Sequence, residues 1–437
     1  MRVVGSIRRF LARLGRSRSG NFGMMLALTT PVLLLGAGYG LNIAQISITK
    51  SNLLAALDAA VTSTARDLTT GAIQEEQARE VVEAFLIANG LRAYAEEGKL
   101  SLDSIVVDRE ASTVTAKATV ELDVAFALFG AANRQRVTTE SAALYSDRRI
   151  EVAMMLDVTG SMQGQRLKDL KVAATNAVNL LLDNNRPGSD RVRVAIVPYA
   201  DAVNAGPLSH VIYRETDLHS ASEPPSLPPA TPASGGNICG TDREGTRQFT
   251  DDGPHVRMVN RDYRLQFCPA AALIPLTTDR AALTSRIQSF VANGHTAGQI
   301  GIQWSWYMLS PKWASVLPVS AQPHEYDNKK VAKYAILMTD GEFNTAFADV
   351  PDGANVRNQP TRSRNYANRL CTEMKRQGIE IFTIGFMLNN TAKQVMRNCA
   401  TPDSGSTQHY YEASTGAELD AAFRSIAGNI ERLALTR

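Results

Sequence analysis

EVAMMLDVTGSM, residues 151–162, is an apolar run that ends in an aspartate and is followed by two hydroxyls at alternate positions. The run from Val152 to Leu156 is short and continuous, as in a strand buried on both faces of a parallel sheet. Beyond it, Leu167, Leu170, Ala174, Ala177, Val178 and Leu181 repeat at helical spacing. The alternation then recurs. RVRVAIVPYA (191–200), KYAILMTD (333–340), IEIFTIGF (379–386) and QHYYEA (408–413) read as strands, with helical patterns between and after them. This texture predicts an α/β fold, a doubly wound, mostly parallel sheet with helices on both faces.

In such sheets ligands sit beyond the carboxyl ends of the strands. Asp157 ends the first strand, and Thr159 and Ser161 stand in the loop before the next helix. Asp340 ends another strand, and GHTAGQ (294–299) places Thr296 ahead of a helical run. Two carboxylates and three hydroxyls are hard oxygen donors, which suit Mg²⁺ and also Mn²⁺ or Ca²⁺. Singly, each piece has a plainer reading: Asp-x-Thr-x-Ser and Thr296 as helix caps, Asp340-Gly341 as a turn. Together, at successive strand ends, they predict a metal site.

On these residues, positions 150–435 resemble a von Willebrand factor type A domain. DVTGSM matches that family's metal-ion-dependent adhesion site (MIDAS) signature, Asp-x-Ser/Thr-x-Ser. Thr296 in GHTAG matches the threonine of the family's second loop, and Asp340 in LMTDGEFN the aspartate of the third. The resemblance implies direct metal contacts from the hydroxyls and often water-bridged ones from the aspartates. It also implies that the ion grips an Asp or Glu of a protein partner, without catalysis.

The N-terminus differs in kind. Arg2, Arg8, Arg9, Arg13, Arg16 and Arg18 crowd it, and no charged side chain follows until Lys50. Asn21 to Ile48 supplies the roughly 20 apolar residues that a membrane helix needs. The arginines upstream predict a cytoplasmic N-terminus and an extracytoplasmic or periplasmic bulk. The alternative to an anchor is a cleaved secretory signal; the length of the stretch and the lack of an A-x-A site after it predict instead an uncleaved single-pass anchor in the inner membrane. The stretch from Gly20 to Ala65 resembles the N-terminal segment of TadE/TadG-like proteins of the tight-adherence (Flp) pilus system. Met25 stands where prepilin-like relatives carry a glutamate. That resemblance implies a part in assembling or anchoring such a pilus. A surface adhesin, or an envelope protein whose metal only braces the loops, is the alternative.

The expected layout is a basic tail (1–20), a transmembrane helix (21–48), a helical stalk with a small α+β module (49–149), and the type A domain (150–437). The module rests on Val114, Ala116, Ala118, Val120 and Leu122 alternating with polar residues. Residues 203–278, with SEPPSLPPATPASGGNICG inside them, interrupt the α/β rhythm and read as a surface insertion. Four cysteines allow three pairings, and the local ones, Cys239 with Cys268 and Cys371 with Cys399, are expected in an oxidising compartment.

Over 437 residues the net charge is only +3, so nothing in it marks a nucleic-acid partner. Enzyme readings lack their parts. Ser161 is not in G-x-S-x-G, there is no phosphate-binding G-x-x-x-x-G-K-[ST], and the six histidines have no ligand spacing. No small-molecule substrate is expected.

Overall fold

The computed structural model describes residues 20–69, 72–108, 111–124, 133–145, 148–183, 185, 190–215, 238–405 and 407–436. The arginine-rich segment 1–19 and the Pro-rich centre of the insertion, 216–237, lie outside the described residues. The chain divides into two compact units, Met1–Ser146 and Asp147–Arg437.

The first unit opens with α1, Gly20–Thr69, a continuous helix with Pro31 inside it. It is long and apolar enough to cross a membrane. At 1.5 Å per residue its 50 residues span roughly 75 Å, more than twice a hydrocarbon core. Its two halves differ. Met25, Leu28, Val32, Leu33, Leu34, Leu41 and Ile48 are exposed, whereas Leu53, Leu57, Ala60 and Val61 are buried at helical spacing. Helices α2 (Ala78–Leu86) and α3 (Arg92–Glu96) follow, separated where Gly90 takes φ 93°. Strands β1 (Leu100–Asp108), β2 (Thr113–Asp123) and β3 (Arg134–Leu144) form an antiparallel sheet in that order. The alternating residues of β2 turn Val114, Ala116, Ala118 and Val120 into a core shared with Leu57 and Val61 of α1 and Val82 of α2. The second half of the apolar helix is therefore the layer that covers this sheet.

The second unit begins with β4 (Arg149–Asp157), α4 (Gln165–Asp183) and β5 (Val192–Tyr199). Short strands β6 (Val203–Asn204), β7 (Ile212–Arg214), β8 (Cys239–Gly240), β9 (Val259–Arg261) and β10 (Ile274–Thr277) come next. Then follow α5 (Arg280–Gln288), α6 (Gly298–Tyr307), β11 (Val331–Thr339), α7 (Pro360–Arg376), β12 (Glu380–Phe386), α8 (Asn390–Cys399), β13 (Tyr410–Ala413) and α9 (Gly416–Thr436).

The sheet runs β13-β12-β11-β4-β5-β6-β8, with β10 also on β5. The pairs from β13 through β5 are parallel, and β6, β8 and β10 join antiparallel. One face is covered by α4, α5 and α9 through Leu170, Val178, Ile287, Phe423 and Ile430. The other is covered by α6, α7 and α8 through Ile300, Trp304, Leu370 and Val395. Strands buried on both faces are why these segments read as unbroken apolar runs.

The described flanks of the 203–278 stretch build onto the sheet edge instead of lying over it. Arg243 is fully buried there and donates Nη1 to the Asp252 carbonyl (2.7 Å) and Nη2 to the Arg257 carbonyl (2.7 Å). Its guanidinium lies over Tyr307 and Trp313. Trp304, Trp306 and Trp313 are core residues.

Candidate metal centre

Strand β4 delivers Asp157 to the carboxyl edge of the sheet, fully buried. Among the described residues its carboxylate meets only donors. Oδ1 accepts the Thr159 amide (2.9 Å), and Oδ2 accepts the Tyr199 hydroxyl (2.8 Å), the Thr339 hydroxyl (2.7 Å) and the Asp340 amide (3.4 Å). The donors fix the carboxylate's orientation but do not neutralise it. Burial first, and then the neighbouring charge of Asp340, push its pKa up to about 6.

The chain turns after β4 through a single 3-10 turn, Gly160–Met162, which points two hydroxyls the same way. Thr159 Oγ1 and Ser161 Oγ are 2.9 Å apart, and Ser161 Oγ donates to Asp340 Oδ1 (2.5 Å). Asp340 follows β11 and is buried, while Ser161 is exposed, so the cluster opens to solvent at Ser161. Arg166, on the first turn of α4, donates Nη1 to Asp340 Oδ2 (2.8 Å).

Thr296 arrives on the loop before α6. Its hydroxyl and that of Ser161 both lie 3.5 Å from the point where a Cβ on Gly341 would stand. The five oxygen-bearing residues expected from the sequence are thus brought to one spot. Backbone bonds tie the three loops together. The Gly160 amide donates to the Gly294 carbonyl (2.9 Å), the Asn293 amide to the Val158 carbonyl (2.9 Å), and the Asn344 amide to the Thr296 carbonyl (2.9 Å). The Thr296 amide in turn donates to Asn344 Oδ1 (3.1 Å). Gly294 takes φ 84°, and a Cβ there would meet Asp201 Oδ1 at 2.7 Å, so only glycine fits.

The donor set fits a hard divalent cation. Octahedral oxygens around Mg²⁺ at 2.0–2.1 Å are about 3 Å from their neighbours. The Thr159–Ser161 separation of 2.9 Å is of that size. The oxygens are two carboxylates and three hydroxyls, with no thiolate or imidazole among them.

Several contributors escape a linear reading. Tyr199 and Thr339 hold Asp157, Arg166 bonds Asp340, and Asp201 accepts the His295 amide behind the Thr296 loop. A signal for Tyr199 did exist. It ends the neighbouring apolar strand, and in the parallel register it stands directly opposite Asp157.

Both expected disulfides are closed, Cys239–Cys268 (Cα–Cα 5.8 Å) and Cys371–Cys399 (5.0 Å). The second ties α7 to the end of α8.

No family model matches this sequence, and no curated protein matches it. Among solved structures, the von Willebrand factor domain of the type V pili tip protein Mfa5 from Porphyromonas gingivalis is similar at 16% identity and TM-score 0.39, over 66% of this chain and 97% of that one. The pilus adhesin SpaC from Lactobacillus rhamnosus GG is similar at 11% identity and TM-score 0.38, over 76% of this chain and 34% of that one. Proximal thread matrix protein 1 from the mussel byssus, with a zinc-occupied MIDAS motif, is similar at 12% identity and TM-score 0.32. It is matched over 66% of this chain and 47% of its own. Likenesses this distant leave the function to be argued from the chain's own residues.

Proposed function

We propose that the chain is a membrane-anchored, extracytoplasmic binding protein that captures an Asp or Glu of a protein partner through a divalent cation held by Asp157, Thr159, Ser161, Thr296 and Asp340. The observation that carries the proposal is the convergence of these five residues at the carboxyl edge of the parallel sheet, opening at Ser161. Mg²⁺ is the proposed ion.

Each residue has a task in this reading. Tyr199 and Thr339 hold Asp157 in place as a buried charge that a cation relieves. Thr159, Ser161 and Thr296 contribute oxygens without charge. A cation held largely by neutral oxygens keeps much of its charge, which favours a carboxylate from outside. Ser161 Oγ already bonds Asp340, and no histidine bonds Ser161 among the described residues, so the arrangement is built to hold a ligand and not to activate a nucleophile.

The exposed apolar half of α1 is the proposed anchor, with the arginines of residues 1–19 on the cytoplasmic side. The proposed role is in assembly or anchoring of a tight-adherence pilus, a reading supported by the resemblance of Gly20 to Ala65 to TadE/TadG-like proteins. The bracing alternative is less well supported, because the three loops are already joined by backbone hydrogen bonds.

Isothermal titration of Mg²⁺ into the full chain in detergent, wild type beside Asp157→Asn, tests the reading. Binding by wild type alone is the expected result, and no binding by either would end it. Partner capture from envelope extract should then disappear with chelator. Capture that ignores chelator would favour an adhesin or structural role instead.

A further inference from the structure

A second group of oxygens lies away from the five residues above. Glu215 follows β7, Asp262 follows β9, and Glu244 precedes the 3-10 turn Gly245–Arg247. The parallel pair β7–β9 sets the first two side by side, and the Glu215 amide donates to the Arg261 carbonyl (2.8 Å). One carboxylate oxygen from each of the three acids lies within 4.8 Å of the others. Ligands on opposite sides of Ca²⁺, at 2.3–2.6 Å each, are about 5 Å apart, so the spacing of the three acids is that of groups around one ion, with small shifts closing any remainder.

The independent sign is Asn260, a β9 residue only 1% exposed. Its Nδ2 donates to Glu215 Oε1, which fixes the carboxamide beside the cluster. Its Oδ1 is buried and has no donor among the described residues. A buried acceptor without a donor is costly, and among carboxylates the natural counterpart for it is a cation.

We infer that Glu215, Glu244, Asp262 and Asn260 Oδ1 form a second divalent-cation site, of the calcium class. The remaining contacts allow it. Tyr213 donates to Glu215 Oε1 (2.9 Å). Arg264 donates Nε to Asp262 Oδ1 (2.9 Å) and Nη2 to Oδ2 (2.7 Å), and its amide also donates to Oδ1 (2.8 Å). A carboxylate offers about four lone-pair sites, so Asp262 keeps capacity for an ion. The Glu244 carboxylate has no hydrogen bond or ion pair among the described residues. Burial, and then the charges of Glu215 and Asp262, push the Glu244 pKa up to about 8, a repulsion that a bound cation removes. All-oxygen ligation in an irregular set suits Ca²⁺ better than the near-octahedral demand of Mg²⁺. Within the insertion, such an ion would tie Glu215, which precedes residues 216–237, to Glu244, which follows them.

The test is Ca²⁺ titration of the full chain in detergent, carrying Asp157→Asn to silence the first site. One Ca²⁺ per chain is expected, and adding Glu215→Gln and Glu244→Gln should weaken it at least tenfold. No uptake at millimolar Ca²⁺, or uptake indifferent to the two glutamines, overturns the inference. A second measurement guards against misfolding of the Asp157 variant. In the otherwise wild-type chain, Glu244→Gln should abolish the Ca²⁺-dependent rise in Tm while leaving any Mg²⁺-dependent rise intact. A Ca²⁺ response unchanged by Glu244→Gln also overturns it, and this outcome is independent of whether the first site binds Mg²⁺.

Discussion

Arg166 carries a full positive charge to within 2.8 Å of Asp340 Oδ2. Any divalent cation sharing Asp340 therefore meets a like charge a few ångströms away. With its side chain 37% exposed, Arg166 acts through a solvent-screened field, on the order of 1–2 kcal/mol against the ion. Replacing it with glutamine should tighten Mg²⁺ binding about tenfold. The gain should shrink as salt is raised, because the repulsion is electrostatic. Titrations of Arg166→Gln at low and high salt check both points, and unchanged or weaker binding would show that Arg166 merely shapes the loop. The five clustered oxygen donors were legible in the sequence because Asp157, Thr159 and Ser161 share one short turn, and because Thr296 and Asp340 sit at recognisable loop and strand ends. Arg166 was not legible, since it sits on the first turn of α4 and meets Asp340 only after β4 and β11 pair.

At the level of elements, the opposite end of the same strands holds a different charge cluster. Glu151 of β4 is paired in register with Arg193 of β5 and Lys333 of β11. Arg193 Nη2 and Lys333 Nζ both donate to the buried Glu151 carboxylate, and so does the His324 amide (3.0 Å). Burial alone would push the Glu151 pKa up, but Lys333, then His324 and Arg193, more than offset it and hold the group below its ordinary range. A carboxyl with a lowered folded-state pKa adds stability above its unfolded value, and that stability is lost as the pH falls through the folded one. The contribution is thus complete at neutral pH and fades below about 4.5. Glu151→Gln keeps the shape but leaves Arg193 and Lys333 without their counter-ion, at a cost of roughly 3–5 kcal/mol. Urea unfolding at pH 7 and pH 4 checks this: the variant's deficit should be large at pH 7 and smaller at pH 4. An equal deficit at both would mean that packing and not charge is lost. Within EVAMMLD the glutamate is masked by its apolar neighbours, although the run itself correctly marked the strand. The long central strands were legible because each is a continuous apolar run. The sheet-building role of β6, β8 and β10 was not, because pieces of two to four residues carry no period.

At the scale of the whole molecule, α1 passes without interruption from an exposed apolar half into the core of the β1–β3 sheet. No flexible linker separates the proposed membrane segment from that module. The proposed anchor would hold the module close to the bilayer and so raise its effective concentration toward partners in the same membrane. The exposure of Leu33 (70%) and Leu34 (66%) is costly in water and favourable in hydrocarbon, so these side chains are the place to test the proposed anchor. Changing both to arginine adds about 3 kcal/mol per residue against insertion at mid-helix and removes two apolar side chains. Leu57 and Val61, which face the sheet, are untouched. The wild-type chain should stay with membranes through alkaline carbonate extraction, whereas Leu33→Arg/Leu34→Arg should move to the soluble fraction. It should still carry protease-resistant β1–β3, because that core lies beyond the substituted turns. Release of the wild-type chain by carbonate would mean that the apolar half of α1 is covered by protein and not lipid.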